Sequence, residues 1–153
     1  MQKTIELSGN EMKFKSSAAT NILYKKAFGE DILVKLAAYS KNLKELKNMQ
    51  AKIAELRADQ SRPQEEVLED LNKIMNSDVF TSSQKFSSET LPRLAFIMWL
   101  EANETQQNIL RKLNEDEYIV WLMGIDQDDL LAITGEVMAL WQAGAKTNSK
   151  PKN

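Results

Sequence analysis

The chain has no cysteine and no histidine among its 153 residues. Without cysteine there is no disulfide framework and no thiolate to serve as nucleophile or soft metal ligand, and a reducing, intracellular setting fits. Without histidine the most frequent general base and metal ligand is gone. Ser-His-Asp triads, Cys-His pairs, zinc-protease motifs and zinc fingers are thereby excluded. Glycines number five and prolines three, and none of them builds a phosphate-cradling loop or a nucleophile elbow. No apolar run reaches the roughly 18 residues of a membrane span. The longest, Leu94 to Leu100, reads as a buried helix. Met1 to Glu6 carries no apolar signal region, so the cytoplasm is the expected compartment.

What is present is the composition of an ordinary globular protein. Apolar residues make up 42% and charged residues 27%, enough to build a real core, so a single domain over residues 1–144 is expected. Low punctuation with abundant Ala, Leu, Lys and Glu favours helices. The net charge of −2 hides an asymmetry. Residues 1–60 hold eleven Lys/Arg against seven Asp/Glu, net +4, whereas residues 101–144 hold two against nine, net −7. The positive half lacks a dense basic patch interleaved with aromatics, which makes nucleic-acid binding the minor reading. The polarity fits two solvated faces, or head-to-tail self-association into a homo-oligomer.

Thr4 to Leu7 and Met12 to Lys15 alternate around Ser8-Gly-Asn-Glu11, which predicts a β-hairpin over residues 3–15. Ser16 and Ser17 are placed to cap a helix over about Ser17–Phe28, with Gly29 at its left-handed end. Asp31 caps a second helix that runs to Arg57. Along it Ile32, Leu36, Tyr39, Leu43, Leu46, Gln50 and Ile53 step alternately by four and three, a heptad seam with one polar member. Such a seam packs either on the chain's own core or on another subunit or partner helix. On the second alternative Leu36, Tyr39, Leu43, Leu46, Gln50 and Ile53 are the candidate partner-binding residues.

Ala58 to Pro63 reads as a linker and Pro63–Met75 as a third helix. Asn76 to Ser88, rich in Ser and Thr, reads as a loop pinned by Val79, Phe80 and Phe86. A fourth helix opens at Ser88 to Pro92 and is apolar nearly all round, which puts it at the centre of the core. Whether it stops near Asn103 or continues through Ile109, Leu110 and Leu113 is open at this level. Asn114 and Asp126 cap two further helices, the first ending at Gly124 and the last, with its stripe Leu130, Ile133, Val137, Leu140 and Trp141, at Gly144. Residues 145–153 read as a disordered basic tail. The fold class is therefore α+β, mainly α-helical: a short hairpin followed by five or six helices. Phe28, Leu94, Met98, Trp99, Trp121, Leu140 and Trp141 are the expected core.

Two acidic clusters, Glu115-Asp-Glu117 and Asp126 with Asp128 and Asp129, have the oxygen chemistry of a Ca²⁺ or Mg²⁺ site. The second lacks the Gly and distal Glu of an EF-hand, and both fall where helix caps belong. No catalytic residue, metal or cofactor is assigned. A small helical regulatory adaptor or nucleic-acid-associated protein is the alternative class of function.

The stretch from Phe14 to Leu33, FKSSAATNILYKKAFGEDIL, following a hairpin, resembles the tail assembly chaperones of long-tailed bacteriophages, in the form found in phages of Gram-positive bacteria. Asp116 to Asp126, DEYIVWLMGID, and Ala139 to Gln142, ALWQ, resemble that family's C-terminal end. The resemblance implies a non-catalytic protein that acts in the host cytoplasm and is absent from the mature virion. Its implied partners are the tape measure protein, which it keeps soluble, the major tail tube protein, and a frameshifted longer form of itself. Relative to the compact family pattern, residues 57–88 look like an added segment.

Overall fold

The computed structural model describes residues Met1 to Ser149. Strands β1 (Gln2–Glu6) and β2 (Glu11–Lys15) pair antiparallel, with Ile5 opposite Met12 and Lys3 opposite Phe14. Directly opposed residues share a face, so Lys3, Ile5, Met12 and Phe14 look one way. Ile5 and Phe14 are buried, while Gln2, Thr4, Glu6, Glu11, Lys13 and Lys15 on the other face are exposed. The turn between the strands closes with Leu7 N–H on the Asn10 carbonyl at 2.8 Å. Gly9 sits there at φ 116°, a conformation that side chains rarely adopt.

Six helices complete the compact unit to which the hairpin belongs. They are α1 (Thr20–Phe28), the first residues of α2 (Ile32–Ala58), α5 (Leu91–Asn103), α6 (Gln106–Arg111), α7 (Glu115–Met123) and α8 (Gln127–Ser149). A second compact unit, Val34–Ser88, holds the rest of α2 with α3 (Gln64–Met75) and α4 (Asp78–Lys85). By their contacts the described residues fall into these two compact units. The described residues also carry more helical segments than the five or six expected, within the same mainly helical class.

In the hairpin unit α5 is central, packed against β2, α1, α6, α7 and α8. Leu94, Ala95, Phe96, Ile97, Met98 and Leu100 are buried on it, joined by Ile133, Val137, Leu140 and Trp141 of α8. The Trp141 indole N–H donates to Asn21 Oδ1 at 2.9 Å, which keeps its polar atom satisfied inside. Leu94, Met98, Leu140 and Trp141 are buried as expected, but Phe28, Trp99 and Trp121 are only half-buried. Those three join an aromatic cluster instead. Phe28 meets Tyr118 at 5.4 Å, Phe96 meets Trp121 at 5.6 Å, and Trp99 meets Trp121 at 6.2 Å between ring centres.

Helix α5 stops at Asn103, because Glu104 is extended and Thr105 Oγ1 accepts from Asn108 N–H to cap α6. Gly144 does not end the last helix, which runs on to Ser149. A Cβ on Gly144 would lie 2.9 Å from Ser16 Oγ. That glycine allows α8 to approach the β2–α1 junction closely and has no capping role. Of the tail assigned to 145–153, residues 150–153 lie outside the described residues.

The second unit is held by contacts of its own. The rings of Tyr39 and Phe86 stack at 4.3 Å, and Ser77 Oγ donates to Met49 Sδ at 3.6 Å. Arg62 joins Asp70 at 2.8 Å, bracing the turn into α3. Residues 76–88 form α4 and the start of a π-helical turn (Phe86–Thr90), which corrects the loop expected there. Ser77 caps α4 by accepting from Phe80 N–H, and Asp78 suits its positive end. Polar composition concealed a helix whose Val79, Phe80, Ser83 and Phe86 still turn inward.

Candidate functional site

Three surfaces are formed by side chains with the chemistry to bind. The first lies where β2 turns into α1. Ser17 N–H donates to Thr20 Oγ1 at 2.9 Å, and Ala19 N–H donates to Ser17 Oγ at 3.1 Å. These two bonds hold both hydroxyls in place. Each hydroxyl then donates to Glu101 of α5, Thr20 Oγ1 to Oε2 at 2.7 Å and Ser17 Oγ to Oε1. Burial pushes the Glu101 carboxyl above the usual carboxylate range, and the two hydroxyls partly offset that rise. The carboxylate lines a cavity of about 520 Å³ together with Lys15, Leu23, Glu104, Ile109 and Leu110. Glu104 is engaged by Lys112 Nζ at 2.7 Å, and this bond holds its carboxyl below the usual range.

The second surface is the seam of α2 from Leu36 to Ile53, within the second unit. Leu36, Tyr39, Leu43, Leu46 and Ile53 are half-buried and Gln50 is exposed. Tyr39 is covered by Phe86. Leu46 and Gln50 line a groove of about 440 Å³ with Phe80, Ser83 and Gln84 of α4. The seam is thus partly occupied by the segment that composition had assigned to a loop.

The third surface is the outer face of α7. Asp116, Ile119, Val120 and Met123 fall at i, i+3, i+4 and i+7, one side of a helix. Ile119, Val120 and Met123 are 47%, 65% and 81% exposed. Leu131, early in α8, is also exposed. The opposite side of α7 carries buried Tyr118 and half-buried Trp121 and Leu122. A short helix this apolar on both sides reads in a sequence as core, so the outward row was missed. The available signal was Ile119-Val120 directly after Tyr118, an apolar run wider than one buried stripe.

The acidic clusters serve the helices. Asn114 Oδ1 accepts from Glu117 N–H at 2.9 Å, and Glu115 pairs with Arg93 at 3.1 Å. Asp129 accepts from the Ser8 backbone and hydroxyl, tying the hairpin turn to α8. Among the described residues no three acidic side chains are grouped to hold a metal ion. No described helix is long and apolar enough to cross a membrane. Comparison with family models, curated proteins and solved structures gives no match.

Proposed function

We propose that this chain is a bacteriophage tail assembly chaperone that binds the tape measure protein and keeps it soluble for tail tube polymerisation, without catalysing a reaction. The observation that carries the reading is the exposed apolar row Ile119, Val120 and Met123, within the Asp116–Asp126 stretch that resembles the family. A monomer gains nothing by showing water three large apolar side chains on one helix face, whereas a helical partner covers them. The absence of histidine and cysteine supports a binding role over a catalytic one. On this reading the chain acts in the host cytoplasm before the virion is complete.

The test is co-expression with the tape measure protein, comparing the soluble fraction of that protein with and without this chain. The expected result is a soluble complex that Val120→Glu and Met123→Glu weaken while the chain's own fold is kept. Equal solubility with and without this chain refutes the proposal. Retention on nucleic acid with steep salt dependence favours the nucleic-acid alternative.

A further inference from the structure

Glu101 is half-buried and accepts from two neutral hydroxyls, yet no cation ion-pairs with it among the described residues. Lys15 and the chain's amino terminus attract this carboxylate from beyond ion-pair distance, and with the two hydroxyl donors they offset only part of the cost of withdrawing it from water. The same carboxylate opens onto a cavity of about 520 Å³, within the size range of ligand pockets. The cavity's apolar wall is Ala19, Leu23, Ile109 and Leu110. A negative charge set beside an apolar wall matches a side chain with a methylene stem and a cationic head. A bare metal ion fits poorly, because it would leave that wall without a partner and find no third acidic ligand.

We propose that this pocket receives a lysine or arginine side chain of the partner protein, with Glu101 taking the cation and Leu23 and Leu110 the stem. The inference rests on the partner-binding reading above and specifies one anchor of that interface.

The probes are N-acetyl-arginine methylamide and N-acetyl-lysine methylamide, with the norleucine analogue as the uncharged control, titrated into the ¹⁵N-labelled full chain. Saturable shifts of the Ser17, Thr20 and Gln106 amides are expected with the two cations and not with norleucine. Glu101→Gln keeps the size of the side chain and should weaken binding about tenfold or more. Leu110→Lys, at an exposed position, places a competing cation at the mouth and should weaken it as well, which covers a folding failure of the first variant. No saturable shift, equal binding of norleucine, or unchanged affinity in both variants overturns the proposal. If both variants hold the tape measure protein as tightly as the unsubstituted chain, the pocket inference fails while the chaperone reading stands. If the arginine amide binds at Glu101 but the tape measure protein is never retained, the chaperone reading fails and the cation pocket stands.

Discussion

Replacing Gly144 with alanine sets two effects of known sign against each other. The residue lies inside α8, five positions before its described end at Ser149. In an unconstrained helix interior the change gains about 1 kcal/mol, because glycine loses more backbone freedom than alanine. Here the new Cβ meets Ser16 Oγ at 2.9 Å and Ser16 Cβ at 3.4 Å. Ser16 is buried, with 5% exposure, and follows directly on β2, so it has little room to move. Overpacking at such a site costs about 1–3 kcal/mol. Gly144→Ala should therefore be neutral to destabilising by about 2 kcal/mol in the native background. In a Ser16→Gly background the obstacle is gone, and the same change should stabilise by about 1 kcal/mol. Equilibrium urea unfolding of the four proteins gives the coupling energy, expected at about 1–3 kcal/mol. A Gly144→Ala variant that stabilises both backgrounds equally would refute the close approach of α8 to the junction.

Phe96→Ala should cost about 3–5 kcal/mol, since the ring is 1% exposed and touches Tyr118 and Trp121; half-buried Trp99→Ala should cost less, and the reverse order in thermal melts would displace Phe96 from the centre. Glu101→Gln tests linkage. The folded carboxyl titrates above its unfolded value, so the stability it contributes is full below the unfolded value and is lost as pH rises through the folded one. The variant should gain stability over the native chain as pH rises above about 4, and a melting-temperature difference that stays flat with pH would contradict this. In the second unit, Tyr39→Ala removes the stack on Phe86 and should destabilise it by about 2–4 kcal/mol, read by amide exchange in α4. Charged residues at Leu43 and Leu46 should loosen that unit if the seam is its core; a unit of unchanged stability that no longer binds its partner would make the seam an outward surface.

Capping chemistry marked some helix ends and missed others: Ser16 and Ser17 were expected to cap α1, which starts at Thr20 behind Ala19 with no side-chain cap. Gly29 sits at φ 73° where a left-handed end was expected, and Asn114 caps α7 with its side chain. The hairpin alternation was equally plain in Ile5, Met12 and Phe14. Helix α4 was hidden because serine and threonine favour loops by composition yet also cap and line a short amphipathic helix. Gly144 misled for a related reason: one residue type serves both for helix ends and for close contacts, and only the position of Ser16 tells them apart. The pocket at Glu101 was not legible, because it joins residues 84 apart in the chain whose spacing carries no motif. Sequence also gave Trp99 a place at the centre that belongs to Phe96, since a helix apolar all round does not reveal which residue points at the densest packing.

The division into two units has a consequence for spectroscopy. All three tryptophans, Trp99, Trp121 and Trp141, lie in the hairpin unit, and Val34–Ser88 contains none. Intrinsic emission will therefore report the hairpin unit alone. Far-UV ellipticity will sum both units, with α2 and α3 contributing strongly. A fluorescence transition and an ellipticity transition that fail to coincide would, in this chain, describe two bodies melting in turn, with no need to invoke a partly folded intermediate of either.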